Sequence, residues 1–419
     1  MSNPSPGATR RRVVVVGAGP AGLMAAETVA KAGHQVIVIE QMPSAGRKFL
    51  MAGRGGLNLT HSEPLETFLT RYRPAEPKLE RAIRAFPPEA LITWAQELGQ
   101  ETFVGTSGRV FPRVMKASPV LRAWLARLAD LGVDMRLRHR LREVRPGGTL
   151  LVVDPAGTPS EIAADAIVLA LGGGSWPRLG SDGHWLESLR AQGIDVRPLE
   201  ASNSGVAITW SPALVERFAG EPLKRIALSC GGETRRGEAI VTSRGLEGGA
   251  IYALTPVIRE AIQQDGAARL GLDLRPDISP EDLAARLAST RKGDSRTNVL
   301  RKAAKLSPAA IAVLRDAVSN ELPAEPAALA ALVKAVPLSA TALGDLATAV
   351  STVGGVAWSE MDDRFMLKKL PGIFCAGEML DWEAPTGGYL LQACFATGRA
   401  AGLGILAYLA DRRAAQPPA

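Results

Sequence analysis

The most regular hydrophobic pattern of the chain lies in residues 12–40. Residues 13–16 are four consecutive valines, which is typical of a parallel strand that is buried on both faces. The alanine-rich segment 21–32 predicts a helix that ends at Gly33, and the apolar run 36–39 predicts the next strand. A strand, a glycine turn, a helix and a second strand in this order indicate a nucleotide-binding α/β unit.

The pattern then changes several times before residue 200. Residues 133–153 alternate between apolar and polar, which is typical of antiparallel strands with one solvated face. The other predicted elements are a long Gly-rich basic loop at 41–62, helices at 78–99 and 118–131, a short hairpin at 101–111, and a buried strand at 166–171.

The pattern of apolar and turn-forming residues changes after about Arg197. Residues 203–273 form short β-like runs between turns, and residues 279–347 are rich in Ala and Leu and predict a helical cluster. A buried strand returns at 373–376, and a last helix is predicted from 388 to 412. We therefore predict one α/β domain formed by 1–197 and 348–419. An insert at 198–347 interrupts it, β-rich over 198–275 and helical over 276–347.

Composition and charge exclude several classes of protein. The 419 residues are 46% hydrophobic and 22% charged, which is ordinary for a globular protein and excludes wholesale disorder. The net charge is +7, and +6 of it falls in residues 286–305. Either a solvated helical face or a surface that grips the phosphates of RNA explains such a window.

Cysteine, histidine and hydropathy patterns indicate what the chain does not use. The three cysteines form no CxxC pair, and the four histidines show no metal-ligand spacing, so we predict no metal and no dithiol centre. The apolar runs at 13–16 and 400–410 are too short to span a membrane. We expect a cytoplasmic protein that makes no membrane contact.

A dinucleotide-binding motif follows the first strand. It reads Gly17-Ala18-Gly19-Pro20-Ala21-Gly22, and Glu40 stands 23 positions after Gly17 at the end of the second strand. Gly17 permits the tight turn, Gly19 lets a pyrophosphate approach the backbone, and Gly22 lets helix and strand pack closely. Glu40 can accept hydrogen bonds from the hydroxyls of an adenosine ribose.

Three further segments favour FAD over NAD as the resident cofactor. Gly46-Arg47 follows the acidic residue, as in flavoproteins where an arginine reaches the pyrophosphate. The strand at 167–171 ends in Gly172, and the strand at 373–376 ends in Gly377-Glu378, where a carboxylate can bind ribityl hydroxyls. The helix after Gly387-Gly388 would direct its N-terminal dipole at the flavin. The chain has no second GxGxxG motif for a nicotinamide domain.

Several longer motifs resemble a known family. The loop from Gly46-Arg47-Lys48 through Gly53-Arg54-Gly55-Gly56-Leu57-Asn58 to His61, the segment 108–112, and the segment from 376 to Gly387-Gly388-Tyr389 and Gln392 are similar to the HI0933-like, or YhiN-type, bacterial flavoproteins. The resemblance covers the whole chain. It implies a Rossmann-like FAD domain of the two-dinucleotide-binding-fold type, interrupted by a β-barrel-like plus helical insert.

The resemblance also implies a reaction. Members of the family are linked to reduction of a conjugated steroid ketone and to conversion of a uridine in ribosomal RNA to dihydrouridine. Both reactions reduce a polarised C=C bond, with NAD(P)H as a transient electron donor. Leu57 replaces the cysteine that members commonly carry, and Leu390 replaces the usual asparagine, so thiol chemistry at residue 57 does not carry over.

We predict two sets of site residues. The residues expected to bind FAD are Gly17, Gly19, Pro20, Ala21, Gly22, Glu40, Gly46, Arg47, Lys48, Gly53, Arg54, Asn58, Gly172, Gly377, Glu378, Gly387, Gly388 and Tyr389. His61, Asn58 and Tyr389 are the candidates for catalysis, with His61 and Tyr389 as possible proton donors. A purely structural role for His61, and a stacking or packing role for Tyr389, remain open.

Three functions are compatible with these residues. The first is an FAD-dependent reductase of a small unsaturated molecule. The second is an enzyme that reduces uridine in ribosomal RNA and binds the RNA through residues 286–305. The third is a protein in which FAD is only structural.

Overall fold

The computed structural model describes residues 10–53, 55–145, 147–291 and 293–414. The chain divides into two units. The first is formed by the segments up to Glu200 and from Ser351 onward, and the second by Ala201–Val350.

The N-terminal segment of the first unit alternates strands and helices. Its strands are β1 (Arg12–Val16), β2 (Gln35–Glu40), β3 (Thr60–His61), β4 (Thr102–Val104), β5 (Arg109–Pro112), β6 (Asp134–Leu137), β7 (Arg140–Arg145), β8 (Thr149–Val153), β9 (Pro159–Ala163) and β10 (Ala166–Leu169). Its helices are α1 (Pro20–Lys31), α2 (Arg47–Ala52), α3 (Leu65–Leu69), α4 (Pro77–Ala85), α5 (Pro88–Glu97), α6 (Ala117–Asp130) and α7 (Trp185–Arg190).

The chain leaves the first unit along β11 (Val196–Ser202). The strands of the second unit are β12 (Val206–Ala207), β13 (Pro222–Cys230), β14 (Glu233–Thr242), β15 (Gly245–Glu247), β16 (Ala268–Asp273), β17 (Val336–Ala340) and β18 (Ala342–Leu343). Its helices are α8 (Pro212–Phe218), α9 (Gly249–Tyr252), α10 (Thr255–Asp265), α11 (Pro280–Ala288), α12 (Arg296–Lys302), α13 (Pro308–Ala317) and α14 (Pro326–Lys334). The chain re-enters the first unit with β19 (Ser351–Val356), β20 (Ile373–Cys375) and α15 (Tyr389–Ala414).

A five-stranded parallel sheet organises the first unit. Its order is β20-β10-β1-β2-β6, and β1 pairs with both β2 and β10. The four valines of β1 are at most 3% exposed because helices cover both faces of a parallel sheet. The carboxyl ends of β1, β2, β10 and β20 therefore meet at one edge, where ligands bind in open α/β sheets. This confirms the predicted Rossmann-like α/β fold.

The second unit is built on a seven-stranded antiparallel sheet. Its order is β17-β16-β13-β14-β15-β12-β18. The two edge strands, β17 and β18, are separated in sequence by Thr341 alone. Since one residue spans only a few ångströms, the edges come together at that point and the sheet curves strongly. Helices α11 to α14 supply much of the remaining core of this unit.

Several sequence-based expectations were wrong. The part of the insert that was predicted to be helical, 276–347, also contains strands β17 and β18. Residues 41–62 contain α2 and β3 rather than loop alone. Strand β6 pairs in parallel with β2, so only β7 and β8 of the segment 133–153 form the predicted antiparallel pair. The segment 203–273 contains helices α8 to α10 between its strands. In each case, packing against other elements decided a segment whose local pattern was ambiguous.

Helix α15 is the central helix of the first unit. Among the described residues it is the one helix that is long and apolar enough to cross a membrane, and 56% of its most apolar window is buried inside the protein. A Cβ at Gly398 would lie 2.2 Å from the carbonyl oxygen of Ala21, so α15 and α1 approach closely. Such burial is typical of a core helix.

Candidate functional site

The turn between β1 and α1 depends on glycine at two positions. Gly17 has a φ of +103°, and a Cβ there would lie 2.3 Å from the carbonyl oxygen of Ala170. A Cβ at Gly22 would lie 1.9 Å from the carbonyl oxygen of Gly17. At Gly19, by contrast, a Cβ would meet no described atom of the protein within 4 Å. Gly17 and Gly22 are therefore required by the fold itself, and Gly19 leaves open space beside the start of α1.

Glu40 ends β2 and stabilises this turn. One carboxylate oxygen accepts a hydrogen bond from the backbone N–H of Ala18, and the other accepts one from Met42, both at 2.8 Å. Burial raises the pKa of Glu40, and these backbone bonds oppose that rise. Each carboxylate oxygen keeps a second lone pair, so Glu40 can hold the turn and still accept another hydrogen bond.

A network of polar groups fixes the second carboxylate of the site, that of Glu378. Lys48 Nζ lies 2.6 Å from Glu378 Oε2 and donates a hydrogen bond to Ser175 Oγ at 2.7 Å. The backbone N–H of Thr352 donates to Glu378 Oε1 at 2.9 Å. The buried Nε of Arg47, in contrast, has no hydrogen-bond partner among the residues that the structure describes. A buried donor in this state is costly unless a ligand satisfies it.

One cavity at the carboxyl edge of the parallel sheet collects most of the predicted cofactor residues. Those that line it are Gly17, Gly19, Pro20, Ala21, Glu40, Gly46, Arg47, Lys48, Gly172, Gly377 and Glu378. Those that lie outside its lining are Gly22, Gly53, Asn58, Gly387, Gly388 and Tyr389, and the catalytic candidate His61 also lies outside it. Arg54 lies outside the described residues.

The glycines outside the lining allow close packing. A Cβ at Gly53 would lie 2.7 Å from Ala117 Cβ, at the start of α6. A Cβ at Gly388 would lie 2.5 Å from the Cα of Thr60, which brings the first turn of α15 against β3. Gly387, with a φ of +129°, turns the chain just before it. These glycines bring the loop around Asn58 and the start of α15 together.

The three candidate catalytic residues lie in that region. The rings of His61 and Tyr389 stack with centroids 5.5 Å apart. The Tyr389 hydroxyl donates to Glu63 Oε1 at 2.6 Å, and Glu63 is ion-paired with Arg71 at 2.7 Å. Asn58 Oδ1 is buried and has no partner within the described part of the chain.

The environment of Tyr389 keeps its hydroxyl protonated. Burial is the main reason that the pKa of Tyr389 is raised well above its ordinary value, and the negative charge of Glu63 adds to the rise. Burial also opposes ionisation of Glu63, but its bonds to Arg71 and Tyr389 hold the pKa of Glu63 below its ordinary value. At neutral pH the pair is therefore a neutral phenol hydrogen-bonded to a carboxylate.

Both ring nitrogens of His61 are used by the backbone. Nδ1 accepts a hydrogen bond from the N–H of Glu63 at 3.1 Å, and Nε2 lies 3.0 Å from the carbonyl oxygen of Ser107. This arrangement corresponds to a neutral imidazole with its proton on Nε2. It supports the structural reading of His61 that the sequence left open.

Sequence reasoning missed several residues of the cavity. Arg140 and Arg142 line it, although their alternating pattern indicated only a solvated face. Ser181 also lines it, and its buried Oγ lacks a partner among the described residues. Gln41 Nε2 donates to the carbonyl oxygen of Gly180 at 2.9 Å and so draws this loop over the end of β2. The run Gly180-Ser181-Asp182-Gly183 was the available signal, since such runs mark tight loops.

Comparison with known proteins identifies the family. The sequence model of the family described as the HI0933-like protein Rossmann domain matches residues 11–404. The chain belongs to this family. FAD-dependent oxidoreductases are its enzymes, so the predicted family, enzyme class and FAD-binding fold are confirmed.

Two relatives and one solved structure illustrate the similarity. The chain is 25% identical to a 3-dehydro-bile acid delta(4,6)-reductase of Clostridium scindens, over 97% of this chain and 100% of that protein. It is also 25% identical to a ribosomal RNA dihydrouridine synthase of Escherichia coli, over 90% of this chain and 94% of that protein. A 3-ketosteroid delta1-dehydrogenase of Sterolibacterium denitrificans has the same fold, with a TM-score of 0.51 and 13% identity over 94% of this chain and 99% of the other.

The residues of the cavity fit the FAD that the family implies. Gly19 leaves room for a group to approach the backbone at the N-terminus of α1, where N–H groups and the helix dipole favour a phosphate. The unsatisfied Nε of Arg47 and Oγ of Ser181 are polar atoms that a bound ligand can pair with. Together with Glu40 at one end and Glu378 at the other, they form a cradle suited to an extended dinucleotide.

Proposed function

We propose that this protein uses FAD to reduce a C=C bond conjugated to a carbonyl group in a small molecule. The observation that carries the proposal is the cavity of the first unit, whose lining brings together the glycine turn, Glu40, Arg47 and Glu378. The name of the relative from Clostridium scindens supports the reaction class, because it is a reductase named for double bonds of a 3-dehydro-bile acid. FAD, once bound and reduced by NADH or NADPH, would pass on the two electrons that such a reduction consumes.

The electron donor and the cofactor contacts belong to the same proposal. NADH or NADPH reduces the enzyme and binds only transiently, because the chain carries one GxGxxG motif. Gly19, Arg47 and Ser181 hold the pyrophosphate half of FAD, and Glu40 accepts from the adenosine ribose. Asn58, whose buried Oδ1 needs a donor, contacts the flavin or the substrate.

Tyr389 is the proposed proton donor. Reduction of a polarised C=C bond adds one hydrogen as hydride and one as a proton, and the proton requires an acid in the protein. Burial and Glu63 keep the Tyr389 hydroxyl protonated. Its O–H points to Glu63 in this structure, so donation requires the hydroxyl to rotate toward the substrate. His61 stacks on the ring and orients it.

Substitution of Tyr389 tests this assignment. Tyr389→Phe should slow anaerobic reoxidation of the reduced enzyme by a cyclic enone about 10²- to 10⁴-fold, while NADPH still reduces the flavin at the wild-type rate. Tyr408→Phe, on the same helix, is the matched control and should change neither step. Equal reoxidation rates for wild type and Tyr389→Phe would exclude Tyr389 as the donor.

The pH profile tests the role of Glu63. The Glu63 charge helps to raise the pKa of Tyr389, so Glu63→Gln should lower that pKa toward its ordinary value. A general acid works only below its pKa, so the alkaline limb of the reoxidation profile should move to lower pH in this variant. An unmoved limb would show that Glu63 does not act through Tyr389.

Reduction of uridine in ribosomal RNA is the second candidate function. The name of the relative from Escherichia coli favours it. So does the exposure of Arg286, Arg291, Arg301 and Lys302 in the basic window, while Lys292 lies outside the described residues. Mass spectrometry of ribosomal RNA from a deletion strain distinguishes the two. Unchanged dihydrouridine supports the small-molecule reductase, and its loss supports the RNA enzyme. We propose a cytoplasmic location for the protein.

A further inference from the structure

The second unit contains a cavity of its own, with a volume of about 480 Å³. Its walls are the end of α8, the first half of β13, the loop after β16 and the segment that opens α13. Within the described residues, none of the sequence motifs that indicated a nucleotide site contributes to it. What it binds must therefore be read from its own side chains.

Basic side chains dominate this lining. The basic residues are Arg217, Lys224, Arg225, Arg275 and Lys305. The acidic residues are Glu221 and Asp277, and Asp277 is already ion-paired with Arg236 at 2.9 Å. The cavity thus presents an excess of positive charge, to which the N-terminal end of the ten-residue helix α13 adds its dipole.

The positive charges are left available for a ligand. Within the described residues, Lys224, Arg225 and Lys305 have no ion-pair partner. Elsewhere on the same sheet, Arg235 and Arg236 are each paired with a carboxylate. A cluster of unpaired cations around a concave surface repels itself unless an anion occupies it.

Left-handed backbone positions two of these cations. A β-bulge interrupts β13 between Leu223 and Ile226, and Arg225 in the bulge has a φ of +52°. Lys305 has a φ of +51°. Left-handed backbone is unfavourable for such residues, and it persists where the surrounding structure imposes it. Arg275 links the two walls, because its Nη1 lies 3.4 Å from the carbonyl oxygen of Lys305.

The lining favours phosphate over a nucleobase. Phe218, the aromatic residue among those lining the cavity, lies under the guanidinium of Arg217 at 5.4 Å from the ring centroid, so this face is not free to stack on a base. Arginine forks and lysine ammonium groups match the oxygens of a phosphate. We propose that this cavity binds a phosphate group, carried either by an RNA backbone or by a free phosphate compound.

The proposal is separate from the reductase proposal and from the basic window. Among the described residues of the window 286–305, Lys305 alone lines the cavity. The readout is binding, so the proposal can succeed or fail whatever reaction the first unit performs. It predicts recognition that is independent of base sequence, because phosphates carry no sequence information.

A pair of double variants tests it in the full-length flavoprotein. Arg225→Asn with Lys305→Asn removes two charges, and asparagine tolerates the left-handed backbone at both positions. Arg244→Gln with Arg269→Gln is the control, since it removes the same charge from exposed positions of this unit outside the lining. The probes are a fluorescent single-stranded RNA of mixed sequence and inorganic pyrophosphate.

We expect the cavity variant to bind the recognised probe at least about tenfold more weakly, and the control to change affinity about threefold or less. If RNA is the ligand, the slope of log affinity against log salt should flatten by about 1.4, or about 0.7 for each lost contact. Wild-type binding of pyrophosphate but not RNA would identify a free phosphate compound as the source and would also support the proposal.

Two outcomes would overturn the proposal: wild-type protein that binds neither probe, or cavity and control variants that lose the same affinity. Flavin content and melting temperature report whether each variant is folded. If the first cavity variant is unfolded, Arg217→Gln with Lys224→Gln takes its place, because both side chains are exposed. The same two criteria then apply.

Discussion

The two units each contain a cavity. Backbone geometry shapes the cavity of the first unit, and side chains define that of the second. In the first unit the backbone makes the site: Gly17 turns, Gly22 allows close packing, and Gly19 leaves space at a helix N-terminus. In the second unit, side chains such as Arg225 and Lys305 make the site from scattered positions. A site made by backbone geometry leaves a short motif with fixed spacing, whereas a site made by surface charges leaves only an excess of basic residues.

The largest effect is expected from a methyl group at Gly22. A Cβ there would lie 1.9 Å from a backbone carbonyl oxygen, which cannot move aside as a flexible side chain can. Gly22→Ala should lower the free energy of unfolding by about 3 kcal/mol or more and abolish flavin retention. Urea denaturation of the flavin-free protein measures the free energy of unfolding. Wild-type stability in this variant would show that the turn is not rigid. It would contradict the claim that backbone geometry makes the site of the first unit.

Loss of Lys48 should have an intermediate effect. Lys48→Met leaves Glu378 without its ion pair and Ser175 without its donor. We therefore expect the free energy of unfolding to fall by about 1–3 kcal/mol and FAD to bind about tenfold more weakly.

Lys31→Met is the control for Lys48→Met. Lys31 also pairs with a buried carboxylate, that of Glu27, at 2.6 Å. Glu27 keeps its bonds to Trp94, Trp124 and Arg127 in this variant. The free energy of unfolding of the control should therefore fall by less than about 1 kcal/mol, and the control should retain FAD. Equal losses of FAD in both variants would contradict a special role for Lys48 in the cavity.

The same contrast explains how far the sequence could predict the molecule. Strands β1, β2, β10 and β20 were predictable because continuous apolar runs next to glycines have few alternatives. A strand at the position of β6 was predictable, but its pairing was not, because its partner β2 lies about a hundred residues earlier and alternation alone does not specify parallel pairing.

The candidate site shows the same limit. Glu40 and Gly377-Glu378 follow predicted strands, and the structure places them in the cavity lining. The hydrogen bond from Tyr389 to Glu63 could not be predicted, because the packing of α15 joins residues that are 326 positions apart. Ser181 was missed because its importance lies in burial without a partner, which only the folded structure reveals.

The smallest effect is expected at Cys394, which lines the cavity of the first unit. Burial raises the pKa of Cys394 to about 12, so the thiol carries no charge at neutral pH. Cys394→Ala should therefore leave flavin reduction by NADPH within about twofold of wild type, because the thiolate is the reactive form of cysteine. Loss of reduction in a folded, FAD-containing variant would show that the thiol takes part.

FAD affinity after a methyl group is added at Gly19 tests the central claim most directly. Gly19 and Gly249, one in each unit, both have backbone that alanine can adopt, and a Cβ at either meets no described atom within 4 Å. Both Gly→Ala variants should keep the stability of the flavin-free protein within about 1 kcal/mol. If the FAD pyrophosphate approaches the backbone at Gly19, Gly19→Ala should weaken FAD binding at least about tenfold and Gly249→Ala should not. Wild-type FAD affinity in Gly19→Ala would contradict the assignment of this cavity to FAD.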